Sequence, residues 1–349
     1  MILVSSERFV EHQTPEGHPE QVARAEVMTE VSRRWAQSGG DVRAPRRATR
    51  DELARVHQAD HIDKIAATAG QRLRLDADTY TSTESYEVAL EAAGAALMAV
   101  EHTLATGAPA MALVRPPGHH AEAGRAMGFC LFNNVAVAAA AARAAGCDRV
   151  VVIDYDVHHG NGTQWMFYDD PSVLYVSLHQ YPFYPGTGAV TETGRDDGTG
   201  FTVNVPLEAG AGDADYDQAM RALVVPVVTA FDPQVILLSA GYDAHTRDPL
   251  GGMQVSTEGF ASLTAHVQRL ADTCCAGRLA AVTEGGYDMT ALGECLTATV
   301  RQLADGRPAS ETATPGDTSR IDRVLPAIQR ALTPHWPALE FRGSPLRGA

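Results

Sequence analysis

Cysteine is scarce and basic residues are outnumbered in this 349-residue chain. The five Cys include no CxxC pair, which argues against a zinc ribbon, and their odd number argues against a complete disulfide framework. Lys and Arg total 28 against 43 Asp and Glu, a net charge of −15, so we expect no direct nucleic-acid partner and no membrane partner. No uninterrupted apolar run reaches the roughly 20 residues that span a bilayer, and no basic segment leads into a signal-type core at the start. These absences predict a soluble, cytoplasmic protein and leave cationic substrates open.

Short apolar runs alternate with helical patterns through the middle of the chain. The apolar runs, interpreted as buried strands, are Ala110–Val114, Arg149–Ile153, Val173–Leu178, Val235–Ser239 and Leu279–Thr283. The helical patterns are Ser85–Leu104, Asn133–Ala145, Tyr216–Phe231 and Thr257–Cys274. Such alternation predicts an α/β fold with an open, mostly parallel sheet and helices on both faces.

A single domain over residues 1–349 is expected, because one large α/β domain can reach this length. The segment Gly306–Asp317 is rich in turn-forming residues and predicts an exposed loop. After it, helical apolar spacing predicts a C-terminal helix over Ile321–Leu332 that packs on the main body.

Polar motifs follow almost every predicted strand. The segments RPPGHH, DYDVHHGNGT, SLHQ, SAGYDAH and TEGGY come directly after apolar strand residues. In open parallel sheets, ligand sites lie outside the carboxyl ends of the strands, and these ends share one edge. The sequence therefore predicts an active site at the C-terminal ends of the strands.

Two of these segments contain candidate metal ligands. In extended backbone, Asp154, Asp156 and His158 project to the same side, and carboxylate plus imidazole suits Zn²⁺ or a related divalent ion. Asp243, after another strand, is a candidate third ligand. An aspartate alone after a strand is more commonly a turn or capping residue, but the whole DxDxHHGNG pattern favours a metal site.

Other residues near these strand ends suggest acid–base and channel roles. A Pro-Pro-Gly turn could aim both His119 and His120 at one substrate for general acid–base catalysis; the alternative is one ligand beside a surface histidine. Tyr287 follows two glycines and could donate to a developing oxyanion, or simply pack in the core. Phe129 and Tyr184 could form the walls of a narrow channel, although for each alone ordinary core packing is the more common role.

Together these motifs resemble the histone deacetylase family, in a bacterial class II-like form, within the arginase–deacetylase superfamily. They occur in the family order: HPE at 18–20, then RPPGHH, GFCLFNN, IDYDVHHGNGT, SLHQYPFYPGTG, SAGYDAH, DPLGG and EGGY. The resemblance implies the arginase–deacetylase fold. It also implies a zinc-dependent amidohydrolase, with one Zn²⁺ per chain, that removes acetyl or other acyl groups from lysine side chains of proteins or peptides.

The resemblance also implies a role for each matching residue. The three zinc ligands would be Asp156, His158 and Asp243. His120 would act as the general base and acid, and His119 would help mainly through its charge. Tyr287 would polarise the amide carbonyl together with the metal.

Two further positions match partners of the tandem histidines. Asp154 would pair with His119, and Asn161 would pair with His120 where class I relatives carry Asp, a departure that points to class II. A structural K⁺ site is implied for Asp154, Asp156, His158, Ser177 and Leu178. The substrate channel would be lined by Asp78, Gly128, Phe129, Tyr184 and Leu250.

The sequence leaves the substrate open between two classes of acylated amine. A net charge of −15 suits either an acylated lysine peptide or protein, or an acetylpolyamine or other small acylated amine. Polyamine-specialised relatives place Glu where this chain has Leu250, which favours lysine. A binding protein without catalysis is disfavoured because every candidate catalytic position is filled, and a binuclear arginase-type hydrolase is disfavoured by the HH and EGGY motifs.

Overall fold

One eight-stranded sheet organises the chain, of which the computed structural model describes residues 1–306, 309–310 and 312–337. Its strands are β1 Ile2–Ser5, β2 Asp41–Arg43, β5 Ala110–Leu113, β6 Val150–Asp154, β7 Val173–Gln180, β8 Thr202–Leu207, β9 Val235–Ala240 and β10 Leu279–Thr283. The order is β2-β1-β5-β10-β9-β6-β7-β8, and each neighbouring pair is parallel. A separate antiparallel pair is formed by β3 Leu73–Arg74 and β4 Tyr80–Thr81. The prediction of an α/β fold with an open, mostly parallel sheet is confirmed.

Helices cover both faces of this sheet. They are α1 Val22–Gln37, α2 Arg50–Leu53, α3 Ala59–Ala66, α4 Ser85–Thr106, α5 Asn134–Ala144, α6 Asn161–Met166, α7 Asp213–Ala219, α8 Val225–Phe231, α9 Thr257–Cys275, α10 Met289–Asp305 and α11 Ser319–Leu332. Side-chain caps define several starts: Asn133 caps α5, Ser256 caps α9 and Asp288 caps α10, each accepting a backbone N–H bond of the first turn.

The apolar runs arise because the central strands are buried on both faces. Along β6, Val150 and Val152 join a core with α4 and α5, whereas Val151 and Ile153 join a second core with α1, α9 and α10. Successive side chains of a strand point to opposite faces of the sheet. In a strand that is covered by helices on both faces, the side chains on both sides are buried, so apolar residues run continuously instead of alternating with polar ones.

Helix α4 is long and apolar enough, by length and composition, to cross a membrane. Within the fold, 72% of its most apolar window is buried against the protein's own core. Residues Val88, Ala92 and Val100 contribute to the core beneath the sheet, and Leu97 packs toward α3. Burial on most sides accounts for its hydrophobicity.

The C-terminal helix α11 packs at the β8 edge and on α7. Its residues Ile321, Ile328 and Leu332 are buried. Of the predicted loop Gly306–Asp317, residues 307–308 and 311 lie outside the described residues. Gly306 ends α10 in the left-handed region, and the described remainder of the segment forms neither helix nor strand. The single domain over 1–349 stays a prediction.

Ten of the strands and helices named above had no counterpart among the sequence predictions. They are β1, β2, β3, β4, β8, α1, α2, α3, α6 and α10. In addition, the helix predicted over Tyr216–Phe231 starts earlier, at Asp213, and a π-helical turn at Met220–Val224 separates α7 from α8.

Candidate active site

Four adjacent strands bring the polar motifs to one edge of the sheet. In the order β5-β10-β9-β6, their carboxyl ends precede the tandem histidines, Tyr287, Asp243 and the Asp156–His158 pair, respectively. Because the strands are parallel and paired in register, segments remote in sequence converge there.

The predicted metal ligands Asp156, His158 and Asp243 lie together and are buried, with one ligand atom of each within 4.8 Å of the others. The Nδ1 atom of His158 lies 3.2 Å from Asp156 Oδ1 and 3.1 Å from Asp243 Oδ2. Backbone N–H groups hold the carboxylates: Gly285 donates to Asp156 Oδ2 at 2.8 Å, and Val157 donates to Asp243 Oδ1 at 2.9 Å. The ligands are therefore oriented by the surrounding backbone.

This cluster fits a bound divalent cation. Burial and the negative charge of Asp156 together raise the pKa of Asp243 to about 7, so the two carboxylates repel each other without a cation between them. Glycine occupies positions 241 and 285, where a Cβ would overlap the ligand carboxylates. One imidazole and two carboxylates are a donor set typical of Zn²⁺ with open coordination positions.

His119 is held next to the metal ligands by a buried carboxylate. Its Nδ1 lies 3.1 Å from Asp154 Oδ2, which also accepts a hydrogen bond from the Tyr175 hydroxyl at 3.1 Å. Burial would lower the pKa of His119, but the charges of Asp156 and Asp154 outweigh it and raise the pKa to about 10. With no cation at the cluster these carboxylates favour the protonated imidazole, and the helper role of His119 stays a prediction.

His120 has the opposite protonation preference. Its Nδ1 lies 2.8 Å from the amide oxygen of Asn161, which can only accept, so Nδ1 carries the proton and Nε2 has a free lone pair. Burial lowers the pKa of His120 well below its ordinary value, and the nearby His119 and His158 lower it further. A neutral imidazole with a free nitrogen is suited to act as a general base.

Tyr287 is positioned by contacts on several sides. Its backbone N–H donates to Asp248 Oδ2 at 2.6 Å, and its ring lies between the Arg24 guanidinium, 5.0 Å from the ring centroid, and the Phe129 ring at 5.8 Å. The side chain is 8% exposed, and burial raises the pKa of its hydroxyl well above the ordinary value. The hydroxyl stays protonated and can donate to an oxyanion.

A cavity of about 480 Å³ opens above these groups. All five predicted channel residues line it: Asp78, Gly128, Phe129, Tyr184 and Leu250. His120, His158 and Tyr287 also line it, so one candidate metal ligand, the candidate base and the candidate oxyanion donor share one chamber.

Aromatic rings form the walls of this cavity. Phe129 has φ +69° and packs edge-on against His18 at 4.8 Å, while Tyr184 packs edge-on against His120 at 5.1 Å. The sequence did not single out Phe183, whose ring stacks on His158 at 5.4 Å and 16°. Gly128 is required here, because its φ is +56° and a Cβ would overlap the His120 ring.

The residues of the implied K⁺ site lie together at the ends of β6 and β7. Asp154 pairs in register with Ser177 on the neighbouring strand. The Ser177 hydroxyl bonds to His179 Nδ1 at 2.9 Å, and Leu178 is buried in the sheet core. Asp156 and His158 lie just beyond β6. A K⁺ site formed by these five residues stays a prediction.

Glu284 is a functional residue that sequence reasoning missed. It follows β10 directly, and its Oε2 accepts hydrogen bonds from the Gly118 N–H at 2.6 Å and the His119 N–H at 3.1 Å. Its Oε1 accepts from the Ser239 hydroxyl at 2.8 Å. Burial raises the pKa of Glu284 to about 7. This fully buried acid fixes the turn that presents the tandem histidines, and its place directly after an apolar strand was the available signal.

His57 lies behind the same turn, where only the neutral imidazole fits. Its Nε2 accepts a hydrogen bond from the Asn133 N–H at 2.9 Å, and its Nδ1 donates to the Glu122 carbonyl at 3.2 Å. Burial and the adjacent His61 together lower the pKa of His57 to about 3. Protonation of His57 at Nε2 would place a ring N–H opposite the Asn133 N–H, two donors in contact, and would break this hydrogen bond.

We expect His57 to make the protein less stable as the pH falls. Below pH of about 6.5 the unfolded chain binds a proton at His57, whereas the folded chain stays neutral there down to about pH 3. The free energy of unfolding of the wild type should therefore fall more steeply than that of His57→Gln, by about 1.4 kcal/mol per pH unit between those values. Urea unfolding at several pH values tests this, with exposed His335→Gln as the control. Equal slopes for wild type and His57→Gln would contradict it.

Comparisons with known proteins agree with this geometry. A family model described as a histone deacetylase domain matches residues 18–303. Histone deacetylase 15 of Arabidopsis thaliana is 41% identical over 309 residues, covering 86% of this chain and 55% of that protein. Polyamine deacetylase HDAC10 of Homo sapiens is 40% identical over 348 residues, covering 92% of this chain and 50% of that protein. The chain thus spans about half the length of these two relatives.

A solved structure supports the same assignment. The crystal structure of the HDA15 HD domain superposes with a TM-score of 0.89 at 36% sequence identity, covering 97% of this chain and 95% of that one. The helix-covered parallel sheet is thus shared over nearly the whole length. The chain belongs to the histone deacetylase family.

Proposed function

We propose that the protein is a zinc-dependent deacetylase that removes acetyl or other acyl groups from lysine side chains of proteins or peptides. One observation carries the proposal. At the bottom of one aromatic-walled cavity, a neutral His120 with a free Nε2 faces the same space as the His158 ligand and the Tyr287 hydroxyl. This is the set of groups that amide hydrolysis without a covalent intermediate requires.

The side chains supply defined steps. His120 accepts at Nε2 a proton from the attacking water and returns it to the amine nitrogen as the C–N bond breaks. Tyr287 donates a hydrogen bond to the carbonyl oxygen as negative charge develops there. His119, kept protonated by Asp154, adds positive charge nearby. A zinc ion held by Asp156, His158 and Asp243 would supply Lewis-acid activation. The products are a carboxylic acid and a free amine.

The side chains that line the cavity suit the aliphatic chain of an acylated lysine. Phe129, Phe183 and Tyr184 offer ring surfaces along which methylene groups can pack. The acidic chain, at −15, favours a substrate whose remainder is cationic. We also propose a reducing, cytoplasmic location, which the five free cysteines support.

An acetylpolyamine is the alternative substrate, because one of the relatives is named a polyamine deacetylase. Leu250 supports lysine over polyamine. It lines the cavity, and its backbone N–H donates at 2.9 Å to Asp248, the residue that also holds the Tyr287 backbone. Its backbone is therefore held beside the site, and its apolar side chain offers no charge to a second ammonium group.

Replacing Leu250 with Glu should shift specificity toward acetylpolyamines. A carboxylate beside the cavity would attract the second ammonium group, and a partly screened pair of about 1 kcal/mol corresponds to about a fivefold change. The measurement is the ratio of kcat/KM for an acetyl-lysine peptide and for an acetylpolyamine. Leu250→Gln, matched in size but uncharged, is the control and should leave the ratio near that of the wild type. An unchanged ratio in Leu250→Glu would remove this residue from substrate choice.

A turnover screen tests the proposed function itself. Metal-free protein reconstituted with Zn²⁺ would be offered acetyl-lysine peptides, longer acyl-lysine peptides and acetylpolyamines. We expect the acetyl-lysine peptide to be hydrolysed with the highest kcat/KM. Preference of the wild type for acetylpolyamine would overturn the lysine assignment, and no hydrolysis of any acylated amine would overturn the deacetylase proposal.

A further inference from the structure

The amide of Asn161 is hydrogen-bonded at both ends. Its Oδ1 lies 2.8 Å from His120 Nδ1, and its Nδ2 donates to the Glu122 carboxylate, Oε1, at 2.9 Å. Asn161 is 2% exposed, so its own amide has little access to water. Glu122, His120 and Asn161 thus form a chain that runs from the surface to the acid–base group.

The carboxylate of Glu122 determines which way this amide faces. An amide turned by half a rotation would set its oxygen against the Glu122 carboxylate, two acceptors in contact, and its NH₂ group against His120 Nδ1. The other acceptors near Nδ2 are weaker: the Met127 sulfur at 3.4 Å and the His120 carbonyl at 3.5 Å. A charged acceptor at 2.9 Å therefore fixes the observed orientation.

Glu122 is itself held in place by a tight turn. Its backbone N–H donates to the Arg125 carbonyl at 2.9 Å, and Arg125 Nη2 donates to Glu122 Oε1 at 3.1 Å. Its side chain is 27% exposed, whereas that of Arg125 is 61% exposed. The carboxylate thus stands at the boundary between solvent and the buried amide.

We propose that Glu122 is a positioning residue for catalysis. By orienting the Asn161 amide, it makes the proton of His120 reside on Nδ1 and leaves Nε2 free to accept the proton of the attacking water. The inference rests on the proposed deacetylase function for its kinetic effect, but not for its effect on the His120 tautomer.

Kinetics of Glu122 variants are the first test. Glu122→Ala should lower kcat by about 10-fold, with KM little changed, because Asn161 no longer has a preferred orientation. Glu122→Gln should retain kcat within about threefold, since its amide oxygen still accepts from Asn161 Nδ2. Arg125→Ala, which removes only the exposed partner, is the matched control. Equal kcat in wild type and Glu122→Ala would overturn the proposal, as would equal losses in Glu122→Ala and Glu122→Gln.

An exchange at the partner position gives a second, reciprocal test. Asn161→Asp removes the amide donor and places two carboxylates together, so the single variant should lose activity. In the double variant Asn161→Asp with Glu122→Gln, the amide introduced at position 122 donates a hydrogen bond to the carboxylate introduced at position 161. That carboxylate also faces His120, and activity should recover. A disturbance of packing alone would make the double variant worse than either single variant, and that result would overturn the proposal.

The tautomer of His120 can be observed without turnover. In zinc-loaded protein labelled with ¹⁵N-histidine, the resonances missing from His120→Ala identify His120. The wild type and Glu122→Gln should show the Nδ1–H form, and Glu122→Ala should show a mixture. An unchanged Nδ1–H signal in Glu122→Ala would overturn the proposal. If the wild type hydrolyses no acylated amine, the proposed function fails, while this measurement still decides the role of Glu122.

Discussion

Asp243→Ala should lose the metal and the activity together. The variant removes one of three buried ligands, and Asp243 Oδ2 is the carboxylate oxygen nearest His158 Nδ1, at 3.1 Å. Loss of about 4 kcal/mol of transition-state stabilisation would lower kcat/KM by roughly 10³-fold. The same outcome is expected for Asp156→Ala, since both carboxylates face the same imidazole nitrogen.

Metal analysis and turnover on one protein preparation check this expectation. Asp272→Ala, an exposed carboxylate on α9, is the matched control and should keep both metal and activity. The fold should survive in Asp243→Ala, because burial and the charge of Asp156 both disfavour an ionised Asp243 when no cation is present. Full metal occupancy with normal turnover in Asp243→Ala would refute the ligand assignment.

Removing the imidazole of His120 should stop proton transfer while leaving the metal bound. His120→Ala should reduce kcat by about 10²-fold or more, the usual contribution of general acid–base catalysis. The three metal ligands are separate side chains with their own backbone hydrogen bonds, so metal content should match that of the wild type.

Tyr287→Phe is the companion variant for this test. It removes an oxyanion donor but no proton acceptor, so its kcat should also fall, by roughly 10²-fold. The two variants differ in one respect: a small external base such as imidazole can replace the missing acceptor in His120→Ala but not the missing donor in Tyr287→Phe. Near-normal kcat in His120→Ala would refute the assignment of His120 as the general base.

The residues at the strand ends were predictable because they break an apolar pattern. Asp156, His158 and Asp243 follow runs of buried side chains, and polar groups at the end of a doubly covered strand need a partner. Their convergence could be predicted because the carboxyl ends of parallel strands lie at the same edge of a sheet. The tandem histidines could be predicted equally well, because they follow a Pro-Pro-Gly turn.

The residues that hold these groups were not predictable in the same way. Phe183 gives no signal beyond being one aromatic among several in a loop, and its stacking on His158 depends on the course of that loop. Glu122 accepts a hydrogen bond from a group 39 positions away, and Glu284 accepts hydrogen bonds from groups 165 and 166 positions away. Spacing along the chain contains no information about such contacts.

The missed elements of the fold have a similar explanation. Strand β1 is only four residues long and β2 only three, below the length at which an apolar run stands out from its surroundings. Helix α1 is amphipathic, with polar residues between its buried Ala25, Met28 and Val31, and nothing in its sequence caps its start. Tertiary packing decides such segments more than local preference does.

The position of β10 has a consequence for how the protein is made. It is the last strand to leave the ribosome, yet it lies between β5 and β9. Until residue 283 is synthesised, β2-β1-β5 and β9-β6-β7-β8 share no strand pairing. The second group alone carries Asp156, His158 and Asp243, while the first carries His119 and His120. All three candidate metal ligands therefore belong to the second group of strands, and β10 supplies the strand pairing that ties the first group, with its tandem histidines, to them.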